Sequence, residues 1–120
     1  MAYSVLVVDD DSAFLSLTAQ ILEGIGVDVL TAVDATRAVV SAQAAKPDAV
    51  LVDVGLPDRD GIALAHELAA LPWAPRVVLT STDNDAGSAI DSGSDGPGLS
   101  FIPKEELESD SLRRLLTRQL

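Results

Sequence analysis

The side chains best suited to catalysis or metal binding in this chain follow four short apolar runs. They are Asp9, Asp10 and Asp11 after the first run, Asp53 after the second, Thr80 and Ser81 after the third, and Lys104 after the last. A group of carboxylates without Cys or His suits a hard cation such as Mg²⁺, which prefers carboxylate, backbone and water oxygens. A metal beside a hydroxyl and a lysine supports phosphoryl transfer, and an aspartate can accept the group as an acyl phosphate.

Each of these residues also has a plainer interpretation. Asp10 or Asp11 could cap the helix that follows. Asp53 could belong only to a turn, and Lys104 could be a solvated surface charge. No single residue decides between the two interpretations, but four runs that end on complementary groups favour one shared site if the fold brings those ends together.

The apolar runs have the pattern of strands, with amphipathic segments between them. Residues 5–8 are typical of a strand buried on both faces, whereas the alternation in 27–31 indicates an edge strand. Further strands are predicted at 49–52, 76–79 and 99–102. Strand and helix alternate five times, which predicts an α/β fold with one parallel sheet, right-handed crossovers and helices on both faces. Ligands of such sheets bind beyond the carboxyl ends of the strands, where the four groups would meet.

Caps and apolar spacing predict the helices. Ser12 is expected to cap the first helix, with Phe14, Leu17, Ile21 and Ile25 facing inward. Asp34 is expected to cap the second, with Ala38, Val39, Ala42 and Ala45 inward. A third follows the turn at 56–61, and a last one closes the sequence. The segment 82–98 is rich in Gly, which costs a helix about 1 kcal/mol per residue relative to Ala, so the fourth helix is predicted to be short or frayed.

Composition excludes several classes of protein. A length of 120 residues fits one domain, and a net charge of −11 argues against nucleic acid and anionic membranes as partners. The chain has no Cys and one His, His66, which excludes disulfides, thiolate metal sites and clusters of His ligands. No apolar run is long enough for a membrane span, and no basic leader with an apolar core opens the sequence. A cytoplasmic location is the expectation.

The motifs resemble those of the receiver domain of two-component response regulators. Residues 5–11 look like the family's first strand with its acidic pair, Asp9 and Asp10. Residues 51–61, with Pro57 and then Asp60-Gly61 after the acid, are similar to the phosphoacceptor strand and its turn. The resemblance covers the whole chain. It implies a single receiver domain over 1–120, a flavodoxin-like (βα)5 three-layer sandwich with strand order 2-1-3-4-5.

The resemblance also implies the chemistry of the acidic residues. Asp53 would accept a phosphoryl group from a phosphohistidine. Mg²⁺ would be bound by Asp10, Asp53 and the backbone carbonyl of Gly55, with Asp9 acting largely through water. Because the side chain of Gly55 is a single hydrogen, the lifetime of the phosphate is left open.

The remaining motifs match the family's switch residues. Thr80 followed by Ser81 matches the switch hydroxyl and the small residue after it, and Phe101 with Lys104 three positions on matches the aromatic switch residue and the lysine. Lys104 would pair with the phosphoryl oxygens, Thr80 would move toward them, and the Phe101 ring would turn inward. The order Pro103-Lys104 departs from the family's usual Lys-Pro.

The partners implied are a sensor histidine kinase or a histidine phosphotransfer protein. A downstream protein effector would bind the face made by the fourth helix, fifth strand and fifth helix. No conventional enzyme turnover is expected beyond self-phosphorylation from a phosphodonor and autodephosphorylation. Two alternatives stay open: a haloacid-dehalogenase-like phosphatase, in which Asp9 and Asp11 would mimic an Asp-x-Asp pair, and a receiver-like interaction module that is never phosphorylated.

Overall fold

The computed structural model describes residues 3–81 and 99–103, which form a parallel sheet with helices on both faces. The strands are β1 (Ser4–Val8), β2 (Asp28–Ala32), β3 (Ala49–Asp53), β4 (Arg76–Ser81) and β5 (Leu99–Pro103). The described helices are α1 (Ser12–Gly24), α2 (Ala35–Ala45) and α3 (Gly61–Ala69). All four strand pairings are parallel, and the order across the sheet is β2-β1-β3-β4-β5. The predicted fold class and strand order are therefore confirmed.

Alternate residues of the central strands supply the two cores, because successive side chains of a strand point to opposite faces. On one face Leu6, Val50 and Val77 pack with α2 and α3. On the other face Val5, Leu51 and Val78 pack with α1. β1 and β3 are buried along almost their whole length, as their unbroken apolar sequence predicts for interior strands.

The helix caps agree with the sequence in α2 and differ from it in α1. Asp34 caps α2, its side chain accepting the N–H of Arg37 at 2.8 Å. The expectation that Ser12 caps α1 was wrong, and the plainer interpretation of Asp11 is confirmed: Asp11 is the cap, and its Oδ1 accepts the N–H groups of Ala13 and Phe14. Asp11 has the extended backbone of a cap residue (φ −90°, ψ 106°), whereas Ser12 is already the first residue of the helix.

The predicted inward faces of α1 and α2 are confirmed except at Leu17 and Ala45, since the other predicted residues pack on the two cores. In α1 the buried residues are Leu15, Thr18 and Leu22, and Leu17 is 57% exposed. Leu17 lies beyond the margin of the stripe that these three residues define, although its spacing from Phe14 and Ile21 fits a helix. In α2 the buried residues are Ala35, Ala38 and Ala42, and Ala45 is exposed near the end of the helix.

Hydrogen bonds link the segments at the amino ends of the strands. Asp48, before β3, accepts the backbone N–H of Ser4 at 2.8 Å. The indole N–H of Trp73, before β4, donates to the carbonyl of Pro47 at 3.0 Å. None of the three described helices is long and apolar enough to span a bilayer. The predicted fourth and last helices fall in 82–98 and 104–120, outside the described residues.

Candidate functional site

Three acids predicted from the sequence lie together at the carboxyl end of the sheet. Asp9, Asp10 and Asp53 each offer a carboxylate oxygen, and these three oxygens lie within 4.8 Å of one another. Asp9 and Asp53 are buried, and Asp10 is exposed. Parallel pairing of β1 with β3 is what brings residues far apart in sequence to one place.

The first two of these acids are positioned by the end of β1. The N–H of Asp9 donates to the carbonyl of Ala32 in β2 at 3.1 Å, which continues the sheet pairing by one residue. Asp9 Oδ1 accepts the N–H of Asp11 at 2.9 Å, and this bond turns the chain into α1. Asp11 is occupied as the cap of that helix. Of the three acids that follow β1, only Asp9 and Asp10 belong to the acidic cluster, so the Asp9 and Asp11 pair that the phosphatase alternative requires is not found there.

Asp53 is the last residue of β3 and is paired in register with Thr80 of β4. Its Oδ1 accepts the N–H of Gly55 at 3.2 Å, so the chain folds back over the carboxylate. The Thr80 side chain is buried, and its hydroxyl lies 3.5 Å from the carbonyl of Val52, the outer limit for a hydrogen bond. A hydroxyl held so weakly can exchange this acceptor for another. Ser81, the next residue, is also buried.

The loop at 54–60 connects Asp53 to α3 and is fixed at both ends. The N–H of Val54 donates to the carbonyl of Thr80 at 3.0 Å, and the carbonyl of Val54 accepts the N–H of Gly61 at 3.1 Å. Asp60 caps α3 by accepting the N–H of Ile62 at 3.0 Å. The Asp60-Gly61 pair of the sequence motif is therefore the start of α3.

Asp58, in the middle of this loop, has contacts that sequence reasoning missed. Its two carboxylate oxygens accept the backbone N–H groups of Ala35 and Thr36 at the start of α2, at 3.0 and 3.2 Å. These hydrogen bonds, that of Ala35 foremost, lower the pKa of Asp58 from its ordinary value of 3.8. The sequence showed only an acid in a turn, because no local signal pairs residues 22 and 23 positions apart.

Of the predicted switch residues, Thr80 and Phe101 belong to the described part of the chain. Phe101, in β5, pairs in register with Leu79, next to Thr80, and is partly buried against the core shared with α2 and α3. Lys104 lies outside the described residues, so its place at the site stays a prediction.

The donor set of the cluster fits magnesium. It consists of three carboxylates with no sulfur or imidazole, and one of the three, Asp10, is exposed. Mg²⁺ binds oxygen ligands, usually one or two carboxylates, and keeps several waters, which an exposed edge can supply. Gly55 is exposed beside the cluster, and a β-carbon placed there would lie 4.0 Å from Asp53 Oδ1. A backbone oxygen at this position is thus approachable without a side chain in the way.

Residues 5–115 match the family model described as "Response regulator receiver domain". Among curated relatives, the KDP operon transcriptional regulatory protein KdpE of Escherichia coli is 36% identical over 94 residues, which cover 77% of this chain and 42% of that protein. The DNA-binding response regulator MtrA of Mycobacterium tuberculosis is 36% identical over 108 residues, 88% of this chain and 47% of the relative. The chain spans less than half the length of these two relatives.

Solved structures give the same fold. A CheY-like response regulator receiver domain protein of Methanospirillum hungatei matches with a TM-score of 0.83 and 26% identity, covering 96% of this chain and 91% of that one. The chemotaxis protein CheY4 of Vibrio cholerae matches over 100% of both chains with a TM-score of 0.85 and 21% identity. This second likeness is one of fold alone.

Proposed function

This chain belongs to the receiver-domain family of response regulators, and from that premise we propose that it is the phosphoacceptor module of a two-component phosphorelay, with Asp53 as the acceptor. The observation that carries the proposal is the grouping of the Asp9, Asp10 and Asp53 carboxylates within 4.8 Å. Among these three, Asp53 alone sits at the end of an interior strand opposite a buried hydroxyl, that of Thr80.

In the transfer, a carboxylate oxygen of Asp53 attacks the phosphorus of a phosphohistidine. A new O–P bond forms, the P–N bond to the imidazole breaks, and the imidazole leaves with the electron pair. Catalysis of this kind consists mainly of positioning and charge neutralisation. The N–H of Gly55, 3.2 Å from Asp53 Oδ1, fixes the orientation of the carboxylate before the reaction.

Magnesium is the proposed cofactor. Asp10, Asp53 and the backbone carbonyl of Gly55 would hold it, with Asp9 acting largely through water. When bound, Mg²⁺ supplies positive charge that offsets repulsion between the acids and the incoming phosphoryl oxygens. Asp9 is buried and accepts the N–H of Asp11, so its role is to hold the end of β1 and present negative charge to the ion.

The switch is proposed to run from Thr80 to Phe101. The Thr80 hydroxyl would turn to the phosphoryl group, to which Lys104 would also pair. The space that it leaves would admit the Phe101 ring, and the packing beside β5 would change. The weak 3.5 Å contact of Thr80 with Val52 supports this step, because little is lost when the hydroxyl changes partner.

The partners follow from the same proposal. A sensor histidine kinase or a histidine phosphotransfer protein would supply the phosphoryl group, and a protein effector would bind the face of the fourth helix, β5 and the fifth helix. Two relatives are described as a DNA-binding and as a transcriptional regulator, but a net charge of −11 disfavours direct nucleic-acid binding by this chain. The proposed location is the cytoplasm, and 1–120 is proposed to act as one receiver domain.

The test is incubation with Mg²⁺ and acetyl phosphate followed by intact mass measurement. The wild type should gain the mass of one phosphoryl group, and Asp53→Asn should gain none. Asp28→Asn, which removes an acid from the opposite end of the sheet, should be labelled like the wild type. A gain that survives in Asp53→Asn would contradict the assignment of the acceptor. No gain in the wild type would favour the interaction module that is never phosphorylated.

A further inference from the structure

The start of α2 is capped by two carboxylates from different parts of the chain. An α-helix leaves its first N–H groups without partners inside the helix. In α2, Asp34 accepts the N–H of Arg37, and Asp58 accepts those of Ala35 and Thr36. Asp58 therefore satisfies two of these three amides, and it reaches them from the loop at 54–60 that follows the acceptor strand.

Both oxygens of Asp58 take part in this contact. Oδ1 accepts the N–H of Ala35 at 3.0 Å, and Oδ2 accepts both the N–H and the hydroxyl of Thr36 at 3.2 Å. A carboxylate at a helix N-terminus also interacts favourably with the helix dipole. Three hydrogen bonds to one side chain form a more directional anchor than an ordinary surface ion pair.

The anchored loop is the one that carries Gly55. The ends of the loop are fixed by Thr80 and by α3, and Leu56 is buried in the core. Asp58 adds a polar link from the middle of the loop to a helix on the same face of the sheet. The position of the Gly55 backbone thus depends on α2 as well as on β3 and α3.

We infer that Asp58 is a positioning residue of the phosphorylation site, which anchors the loop at 54–60 to α2 and so holds the backbone of Gly55 beside the Asp53 carboxylate. This inference rests on the proposed function, because Gly55 matters only if its carbonyl binds Mg²⁺. It assigns to α2 a part in metal binding although no side chain of α2 belongs to the acidic cluster.

The matched variants are Asp58→Ala and Asp34→Ala. Each removes one carboxylate cap from the same end of α2, but only the first releases the loop. Mg²⁺ affinity is measured by titration of the ¹⁵N-labelled protein, following the Gly55 amide signal, and the rate of labelling by acetyl phosphate is measured at subsaturating Mg²⁺. Asp58→Ala should weaken Mg²⁺ binding about tenfold, the loss typical of a residue that supports a metal ligand. Asp34→Ala should change it less than about twofold, since its carboxylate does not touch the loop.

Intermediate variants keep the test meaningful if Asp58→Ala folds poorly. Asp58→Asn can still accept the N–H of Ala35, and Thr36→Val removes only the hydroxyl donor. Both should give Mg²⁺ affinities between those of the wild type and Asp58→Ala. At saturating Mg²⁺ the labelling rates of all four variants should approach that of the wild type, which a loss of folded protein would not produce.

The outcomes separate the two proposals. If the wild type neither binds Mg²⁺ nor becomes labelled, the proposed function fails, and the positioning role fails with it. If the wild type does both, and Asp58→Ala matches Asp34→Ala in Mg²⁺ affinity, Asp58 is only a helix cap and the inference is overturned.

Discussion

Gly61 is in direct contact with the backbone of Asp53. A β-carbon on Gly61 would collide with the carbonyl oxygen of Asp53 and lie 2.6 Å from the α-carbon of Val54. α3 therefore begins against the last residue of the acceptor strand, and only glycine permits this approach. The Gly that follows Asp60 in the sequence motif is thus required by the packing of backbone on backbone.

Gly61→Ala should destabilise the protein and disturb the acidic cluster. Because the obstructing atoms are backbone atoms, the helix or the strand end must move, at a cost of about 1–3 kcal/mol in the free energy of unfolding. The measurement is urea unfolding. Gly24→Ala is the control: a β-carbon on Gly24 would have no atom within 4 Å, so this variant should be neutral or stabilising. Equal stability of the two variants would contradict the contact.

Magnesium should stabilise the folded chain. A ligand that binds only the folded state adds about 2.7 kcal/mol at a hundred times its Kd, which raises the melting temperature. Asp10→Asn should reduce this shift, because it removes the charge of a carboxylate that is proposed to bind the ion. Asp28→Asn, at the opposite end of the sheet, should keep it. If millimolar Mg²⁺ leaves the melting temperature of the wild type unchanged, the metal site is refuted.

A side chain at Gly55 should prolong the life of the phosphorylated protein. A β-carbon there would lie at ordinary contact distance, 4.0 Å, from Asp53 Oδ1, and Gly55 is not among the residues with positive φ. The backbone can therefore accept Ala or Leu, whose apolar atoms would shield the acyl phosphate from water. The rate of mass loss after removal of the phosphodonor should fall from wild type to Gly55→Ala to Gly55→Leu. An unchanged or faster loss in Gly55→Leu would contradict this.

Thr80→Val should separate phosphorylation from its effect on Phe101. The hydroxyl contributes about 1 kcal/mol or less to stability, since its contact with Val52 is long. The variant should still gain phosphate, but the Phe101 signal of the ¹⁵N-Phe-labelled protein should move less than in the wild type. Thr18→Val, at a buried threonine of α1, is the control and should retain the full movement. A full movement in Thr80→Val would exclude the hydroxyl from the switch.

The Asp58 carboxylate should give the fold a dependence on acid pH. Its pKa is lowered in the folded state by the hydrogen bonds from α2, so its contribution is present above the ordinary value of 3.8 and is lost as the pH falls through the lowered value. The urea midpoint of Asp58→Asn should therefore lie below that of the wild type at pH 7, and the two should converge below pH 3.8. The effect should be modest, because water screens an exposed group.

Much of the fold follows from patterns that are local in sequence. Unbroken apolar runs marked the interior strands β1 and β3, and alternation marked the edge strand β2. The carboxyl ends of parallel strands meet at one edge, so the grouping of Asp9, Asp10 and Asp53 could be predicted without knowing any distance. The cap of α2 at Asp34 was correct for the same reason, since a cap and its partners are neighbours in sequence.

What the sequence did not reveal depends on contacts between distant elements. Leu17 has helical spacing from Phe14 and Ile21, but the centre of the buried face is set by how α1 packs on the sheet. Asp58 looks like a turn residue until α2 is placed beside its loop. The collision at Gly61 likewise depends on the distance between α3 and β3, which the sequence motif does not contain.

The indole N–H of Trp73 donates to the carbonyl of Pro47 at the amino ends of the strands, and the acidic cluster lies at the opposite, carboxyl ends. It is the chain's one tryptophan, so intrinsic fluorescence reports on that end of the molecule. Emission should change when the chain unfolds and stay nearly constant during Mg²⁺ binding or phosphorylation. Unfolding can then be followed by tryptophan fluorescence and Mg²⁺ binding by the Gly55 amide signal on the same sample, because binding leaves the fluorescence nearly unchanged.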